Sequence, residues 1–410
     1  MGALPSRDKA VWAIACSLAD GCFPSDAKVA VTLVSCRVAL FYDMDACRHP
    51  TGVTRHALAQ LGRLAARPEI DLSVISGRIS DPDGRAFWES LETLPRRELP
   101  VRTRDILRWW RLKPWPPIDW WTGPVDWIYC PAEFATVVRS GRRAVTSHDV
   151  LQTLRFESPR KRELLGQVFE RADLILSVSH YNTRQLQSAF PRARDRVAYV
   201  PNAADDLFFE PAADHERARV RHDLALPPQI PFLLSVASFQ PRKNLERLIE
   251  AAGRLDEVVQ GDLALVLVGA GSEEAARPLR EAAARLGRKA IVRFPGYRQG
   301  VALRAAYAEA TALVFPSLCE SFGIPAVEAM AQGAPVALAD STALPEIGGD
   351  AGWYFNPLQI EDLALALRRL LDDRQERERR ASLGRRIAEH YRWQKSNDLL
   401  SHALAGEPRR

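Results

Sequence analysis

Residues 313–336 have the sequence LVFPSLCESFGIPAVEAMAQGAPV, in which two apolar runs flank a loop and a helix-forming segment. The runs at 312–315 and 336–339 have the length and apolarity typical of buried strands. Between them, Pro325 stands where proline is favoured, in the first turn of a helix predicted over 325–331. A strand–helix–strand unit of this kind predicts two parallel strands of an α/β sheet.

The same alternation continues on both sides of this unit. Apolar runs that do not alternate with polar residues are typical of strands buried on both faces. The predicted strands lie at 28–35 or 37–44, 72–75, 126–129, 143–146, 173–178, 232–237, 263–268 and 291–294, and the predicted helices at 53–66, 244–255, 275–286, 303–310 and 360–371. The pattern predicts the α/β class, with two doubly wound, Rossmann-like domains that face each other across a cleft.

A break in composition divides the chain. Residues 202–229 are polar, acidic at their start, and end in Pro227 and Pro228, which indicates a connection between domains. The predicted division is an amino-terminal extension at 1–26, a first domain at 27–210, a linker at 211–229, a second domain at 230–392 and, at 393–410, a helix that could return to the first domain.

The composition of the 410 residues excludes several classes of protein. A hydrophobic fraction of 47% and a charged fraction of 26% are typical of a soluble globular chain. The formal net charge of +5 does not indicate bulk nucleic-acid binding. The six cysteines form no CxxC pair, so free thiols in a reducing, cytoplasmic setting are expected. No apolar run approaches the ~18–20 residues of a membrane helix.

Two glutamates stand eight residues apart in the opening stretch. Glu320 follows the predicted strand, and Glu328 lies inside the predicted helix. Free backbone N–H groups and the helix dipole favour an anion such as a phosphate at the helix start. A carboxylate before the helix suits sugar hydroxyls, and one within it suits ribose hydroxyls. The alternative is that Glu320 caps the helix and Glu328 is a surface charge. The residues offering backbone N–H groups there are Ser321, Phe322, Gly323 and Ile324.

A pair of cations follows the predicted strand at 232–237. Arg242 and Lys243 stand where the carboxyl end of that strand opens into a loop. The arginine fork and the lysine point charge suit a diphosphate. The alternative is a solvated basic pair on the surface.

These stretches resemble the retaining glycosyltransferases of family four, which have the GT-B fold. The similarity is strongest at 235–251, 265–271, 313–336 and 344–357. The resemblance implies that Glu320 contacts the donor sugar, that Glu328 contacts the nucleotide ribose, and that Arg242 and Lys243 bind the donor diphosphate. It also implies that Tyr297 lies beside the nucleobase.

The first half of the chain resembles the same family more weakly. Gly52, in the sequence PTGV at 50–53, resembles a glycine loop that faces the donor phosphate and the acceptor. His148, in the sequence SHD at 147–149, resembles an element in which a histidine faces the donor sugar. The alternative for His148 is a structural hydrogen-bonded pair with Asp149. The resemblance implies that the first domain binds the acceptor and the second domain binds the nucleotide sugar.

The function implied is transfer of a mannose-like or glucose-like hexose from a nucleotide sugar, such as GDP-mannose or a UDP-sugar. The acceptor implied is a hydroxyl of a glycan or a lipid-linked molecule in cell-surface polysaccharide synthesis. No DxD-type carboxylate motif is placed to hold a divalent metal, so neither a metal nor another cofactor is expected. The alternative from another class is a non-catalytic, nucleotide-sugar-binding accessory subunit of the same fold.

The basic excess of the chain is local. Residues 101–200 hold 17 basic and 10 acidic side chains. Tryptophan beside Arg and Lys suits peripheral docking on an anionic membrane, at the inner face of the cytoplasmic membrane. The alternative is a buried core helix and loop. Five cations and five of the ten tryptophans fall at 102–121, namely Arg102, Arg104, Arg108, Arg111, Lys113, Trp109, Trp110, Trp115, Trp120 and Trp121.

Overall fold

The computed structural model describes residues 35–48, 51–227 and 229–406. The predicted extension at 1–26 lies outside these residues, as do Pro50 of the glycine loop and all but Ser35 of the strand alternative at 28–35. The first described strand is Cys36–Phe41, which corresponds to the alternative prediction at 37–44.

Seven parallel strands form the first sheet, in the order β3-β2-β1-β4-β5-β6-β7. The strands are β1 (Cys36–Phe41), β2 (Ile70–Ser76), β3 (Arg96–Glu98), β4 (Trp127–Cys130), β5 (Arg142–Ser147), β6 (Leu174–Ser177) and β7 (Val197–Tyr199). The helices are α1 (Gly52–Leu64), α2 (Pro82–Ser90), α3 (Thr103–Leu112), α4 (Asp119–Thr122), α5 (Val150–Phe156), α6 (Pro159–Arg171) and α7 (His180–Ala189).

Six parallel strands form the second sheet, in the order β10-β9-β8-β11-β12-β13. The strands are β8 (Phe232–Val236), β9 (Ala264–Val268), β10 (Val292–Gly296), β11 (Ala312–Phe315), β12 (Val336–Ala339) and β13 (Gly352–Phe355). The helices are α8 (Asp214–Asp223), α9 (Leu245–Ala252), α10 (Asp256–Gln260), α11 (Glu273–Arg285), α12 (Gly300–Glu309), α13 (Ile324–Gln332), α14 (Leu344–Gly348), α15 (Ile360–Asp372), α16 (Arg374–Ala388) and α17 (Trp393–Ala405).

Both faces of the first sheet are buried. On β1, Val38 and Leu40 belong to one apolar cluster, and Ala39 and Phe41 belong to a second cluster on the opposite face. This division follows from the pleat, because successive side chains of a strand point to opposite faces. Helices on both faces of two parallel sheets give the doubly wound α/β architecture that the apolar runs predict.

The last helix, α17, packs on the first sheet's helices. Leu400 and Leu404 are buried in the cluster that contains Leu61 of α1. The indole Nε1 of Trp127 donates to the Leu404 carbonyl at 2.7 Å, and Gln60 Nε2 donates to Ser396 Oγ at 2.8 Å.

The elements absent from the sequence prediction include β3, β7 and α8. Strand β3 has the charged sequence RRE and no apolar run, whereas β7 is apolar but short, with the sequence VAY. Helix α8 lies inside the segment predicted as a linker. It contacts α12, and Val220 and Leu224 are buried in the second domain's core. Its single buried position within a charged sequence gives no amphipathic period to detect.

Candidate active site

The strand order places the candidate site between β8 and β11. These strands are neighbours in the second sheet, but the chain continues from β8 to β9 on one side and from β11 to β12 on the other. The loops after the two strands therefore diverge and leave a crevice at their carboxyl ends, where open α/β sheets bind ligands. Asn244 ties the loops together, because its side-chain amide donates to the carbonyls of Pro316 at 3.1 Å and Pro357 at 2.8 Å.

Arg242, Lys243 and Glu320 meet in this crevice. Lys243 Nζ forms a short ion pair with Glu320 Oε1, and Arg242 Nη1 lies 3.9 Å from the same oxygen. Arg242 also donates to the Cys319 carbonyl at 3.1 Å. The three side chains are 17%, 12% and 11% exposed in chain order, so the cations are not the solvated surface pair of the alternative interpretation.

Glu320 does not cap the helix that follows it. The N-cap residue of α13 is Gly323, with φ at 111°, a left-handed conformation that favours glycine. A Cβ at Gly323 would stand 2.8 Å from Leu344 Cδ2, so a side chain there would force Leu344 to shift. The capping alternative is therefore wrong.

The segment before α13 leaves backbone donors free. Among the described residues, none of the N–H groups of Ser321, Phe322, Gly323 and Ile324 has a hydrogen-bond acceptor. The Phe322 ring is buried and packs edge-to-face on Tyr391 at 5.3 Å, so this residue offers a ligand its backbone only. Four unpaired donors beside two cations favour a bound anion.

Glu328 is buried away from the Lys243–Glu320 pair. Its side chain is 1% exposed, which rules out a surface charge. Glu328 Oε1 accepts from Arg55 Nη2 at 2.5 Å, and Oε2 accepts from the Tyr307 hydroxyl at 2.8 Å. Burial raises the pKa of Glu328 above its ordinary value, and Arg55 and Tyr307 oppose that rise by stabilising the carboxylate.

His148 lies at the carboxyl end of β5 and is buried. Its Nε2 lies 3.0 Å from the Pro131 carbonyl, which places the ring proton on Nε2. Its backbone N–H donates to Glu133 Oε1 at 2.5 Å, and its ring packs edge-to-face on His56 at 4.8 Å. Burial lowers the pKa of His56 well below its ordinary value, so this second imidazole is neutral.

Asp149 does not pair with His148 in the described structure, contrary to the alternative of a structural pair. Its Oδ1 accepts from Ser321 Oγ of the second domain at 3.1 Å. Gly52 lies against the second domain as well, since a Cβ there would stand 3.5 Å from Ile324 Cδ1. The loops at the carboxyl ends of the two sheets therefore meet at Asp149 and Ser321 and at Gly52 and Ile324.

Glu346 of α14 makes a third contact across the cleft. Its two carboxylate oxygens accept from the N–H groups of His180 at 2.8 Å and Tyr181 at 2.7 Å. These groups open helix α7 of the first domain, where the helix dipole favours a negative charge.

Tyr297 stands apart from the other predicted residues. It follows β10, at the far side of β9 from the crevice, and its side chain is half exposed. Its hydroxyl donates to Gln299 Oε1 at 3.4 Å. Its placement beside a nucleobase stays a prediction.

Sequence reasoning missed Arg55, Tyr307 and Asp149. Arg55 and Glu328 are 273 positions apart, and no periodicity links them. One signal in the sequence could have found Arg55, because it is a cation in the first turn of the helix that begins at Gly52. If Gly52 lies in a loop that faces the ligand, that first turn faces the cleft as well.

Residues 35–48, 51–227 and 229–406 contain neither a membrane-spanning helix nor a cluster of metal-ligating side chains. No helix there has the length and apolarity needed to cross a bilayer. No group of three or more His, Cys, Asp or Glu side chains lies together as a metal site requires.

Two family models match the chain, one on each domain. The model described as "Glycosyltransferase Family 4" matches residues 50–206, and the model described as "Glycosyl transferases group 1" matches residues 216–387.

Two curated relatives from Escherichia coli extend this similarity. The O-antigen chain mannosyltransferase B is 28% identical over 84% of this chain and 93% of its own length. The serotype-specific mannosyltransferase WbdA is 34% identical over 50% of this chain, but the chain spans only 25% of that protein. A solved structure of Anabaena HepE in complex with UDP-glucose superposes with a TM-score of 0.70 over 90% of this chain and all of HepE. At 18% identity, that likeness bears on the fold alone.

The chain therefore belongs to the family-four glycosyltransferases, with the GT-B fold, and is a nucleotide-sugar-dependent hexosyltransferase of the kind that builds bacterial polysaccharides.

Proposed function

We propose that this enzyme transfers a mannose-like or glucose-like hexose from a nucleoside diphosphate sugar to a hydroxyl of a glycan or lipid-linked acceptor in cell-surface polysaccharide synthesis. The observation that carries the proposal is the buried cluster of Arg242, Lys243 and Glu320 beside the unpaired donors of Ser321–Ile324. The donor occupies the second domain, and the acceptor enters from the first.

The cluster suits the charge that develops during transfer. When the glycosidic bond breaks toward an oxocarbenium-like state, negative charge grows on the departing diphosphate. Arg242, Lys243 and the four backbone donors stabilise that charge in a site that excludes water. Glu320 holds the sugar hydroxyls, and its pairing with Lys243 orients its carboxylate. This set of cations acts without a divalent metal.

Retention of the anomeric configuration is the proposed outcome. The leaving phosphate takes the acceptor proton on the face from which it departs, and His148 lines the sugar-binding side of the cleft. The contacts across the cleft by Ser321 and Glu346 keep it closed to water during this step, which suppresses hydrolysis.

The identity of the donor is tested by thermal unfolding with GDP, UDP, GDP-mannose and UDP-glucose. We expect GDP and GDP-mannose to stabilise the protein more, since the names of both curated relatives above denote mannosyltransferases. The HepE complex makes UDP-glucose the leading alternative. A ligand at 100 times its Kd adds about 2.7 kcal/mol to the free energy of unfolding. If none of the four ligands raises the melting temperature, the donor site is wrongly assigned.

A non-catalytic accessory subunit of the same fold is the second candidate. It would bind the nucleotide sugar, but no free nucleoside diphosphate would accumulate when a membrane extract supplies the acceptor. Release of GDP or UDP in step with sugar incorporation distinguishes the enzyme from the subunit.

An exposed surface of the first domain supports the proposal that the enzyme acts at the inner face of the cytoplasmic membrane. Helix α3, the loop after it and helix α4 expose Trp109, Leu112, Trp115 and Trp120, each at least 44% accessible. The Trp115 and Trp120 rings are 5.2 Å apart, and Trp109 Nε1 donates to the Trp115 carbonyl at 2.6 Å, so the groups are contiguous. Trp110 is fully buried, so the alternative of a buried core helix is correct for this one of the five tryptophans.

The charge around this surface selects an anionic partner. Five exposed cations surround the apolar groups, and the exposed acid among them is Asp105. Asp119 is buried and accepts from the backbone N–H groups of Arg139 and Ser140. Interfacial tryptophans with adjacent cations match a bilayer of anionic lipid, where each cation contributes about 1 kcal/mol. The cations are Arg102, Arg104, Arg108, Arg111 and Lys113.

Flotation tests this surface. The protein should float with vesicles of phosphatidylglycerol and phosphatidylcholine and stay at the bottom with phosphatidylcholine alone. The Trp115→Ser, Trp120→Ser double variant should lose most of the bound fraction. The Leu358→Ser, Leu365→Ser variant, which removes exposed apolar groups from the second domain, is the matched control and should float like the wild type. Equal binding to both vesicle types would rule out electrostatic docking.

A further inference from the structure

Arg55 joins both domains at the cleft. It lies in the first turn of α1, whose first residue, Gly52, faces Ile324 of the second domain. One nitrogen, Nη2, contacts Glu328 Oε1 at 2.5 Å and Asp205 Oδ2 at 2.8 Å. Asp205 is held in turn by Trp393 Nε1 of α17 at 2.8 Å. The guanidinium therefore lies at the junction of α1, α13 and the chain that crosses between the domains.

Glu328, the partner of Arg55, is a buried carboxylate, and burying it in ionised form without a counter-ion would cost free energy. Glu328 is 1% exposed, and its second oxygen is taken by the fully buried Tyr307. Burial of an isolated carboxylate favours its protonated form. Burial alone would lower the pKa of Arg55, but Glu328 and Asp205 outweigh burial and hold that pKa above its ordinary value.

We propose that Arg55 is a positioning residue of the donor site, which holds Glu328 in the orientation and ionised form that the donor ribose requires, and thereby ties donor binding to the first domain. The inference rests on the proposed function, in which Glu328 is the ribose ligand. It adds a residue of the acceptor-binding domain to the determinants of donor affinity.

A purely structural ion pair is the competing explanation, and the same helix provides its control. Arg63, two turns beyond Arg55 on α1, pairs with Asp206 at 2.5 Å. Asp206 adjoins Asp205 but is 60% exposed, and Arg63 does not contact Glu328. Replacing Arg63 with Met removes an ion pair between the same two segments and leaves Glu328 untouched.

The experiment measures the affinity of GDP and UDP by calorimetry for the wild type, Arg55→Met, Arg55→Lys and Arg63→Met. The pH runs from about 5.5 to about 8.5, a range in which buried carboxyls titrate. The groups that act on Glu328 are Arg55 of α1, Tyr307 of α12 and Asp205. Removal of Arg55 removes the strongest opposition to the burial effect, so the pKa of Glu328 rises. The loss of affinity on acidification should then begin at a higher pH.

We expect Arg55→Met to bind the preferred nucleotide about tenfold or more weakly at the alkaline end, with a further loss as the pH falls. Arg55→Lys keeps the charge but replaces the planar guanidinium, whose Nη2 contacts both carboxylates, with a compact ammonium, so its affinity should fall while its pH profile stays that of the wild type. Arg63→Met should match the wild type in both respects. In the Arg55→Met, Glu328→Gln double variant, the additional loss of nucleotide affinity at low pH should disappear.

The outcomes separate the two proposals. If the wild type binds a nucleotide and Arg55→Met binds it equally at every pH, the role of Arg55 is overturned and the proposed function stands. If Arg55→Met does not fold, Arg55→Lys decides, and wild-type affinity in that variant overturns the positioning role. If the wild type binds neither GDP nor UDP, the proposed function fails and the inference fails with it.

Discussion

Glu320→Gln should lower the rate of hexosyl transfer about a hundredfold to a thousandfold and leave nucleotide affinity within about threefold of the wild type. The Glu320 carboxylate is paired with Lys243 at the crevice between β8 and β11. A neutral amide of the same shape keeps the packing but no longer stabilises the positive charge that develops on the sugar. The effect should therefore appear in kcat, measured with the donor identified by thermal unfolding.

The matched control is Glu361→Gln, which changes an exposed glutamate paired with Arg254 at 3.0 Å on the same domain. This variant should transfer sugar at the wild-type rate, because an exposed ion pair contributes little. Wild-type activity in Glu320→Gln would remove this carboxylate from the catalytic machinery.

Arg242→Ala should weaken nucleoside diphosphate binding about tenfold and lower kcat about a hundredfold. Its guanidinium lies 3.9 Å from Glu320 and 3.1 Å from the Cys319 carbonyl, so it holds the loop and, in the proposed function, supplies charge to the diphosphate. Loss of positive charge from a site that stabilises a leaving anion affects the ground state and the transition state. Lys243→Ala should show the same pattern.

Arg254→Ala serves as the control, since it removes an exposed cation from the same domain without touching the crevice. Nucleotide titration and initial rates should both distinguish the two arginines. An Arg242→Ala variant with unchanged affinity would mean that the diphosphate lies elsewhere.

The strands at the centre of both sheets could be predicted from sequence because they are buried on two faces. Strand β8 at Phe232–Val236 falls within the run predicted at 232–237, and β2 at Ile70–Ser76 includes the run predicted at 72–75. Strand β3, at one edge of the first sheet, escapes such reasoning. Strand β3 is short and charged, as edges that must not pair with other chains tend to be.

Part of the candidate site could likewise be predicted from the sequence, and part could not. The sequence predicts Arg242 and Glu320 each at the end of a strand, and the strand order of the structure brings these two strand ends together. The contact of Arg55 with Glu328 joins two domains, and it depends on how the domains are placed rather than on any local pattern. The aromatic segment could not be resolved by composition either. Trp109 and Trp110 are adjacent on one helix, but Trp109 is exposed and Trp110 is buried.

Because α17 packs on the first domain, it affects the order in which the apolar cores of the two domains are completed during synthesis. Leu400 and Leu404 fill the apolar cluster that Leu61 and Trp127 begin, so that cluster lacks part of its covering until the last helix has left the ribosome. The buried residues of the second domain's core extend no further along the chain than Ala388, at the end of α16, so that core needs no later segment. The later-made half of this enzyme can therefore reach its packed form before the earlier one, which reverses the usual vectorial sequence.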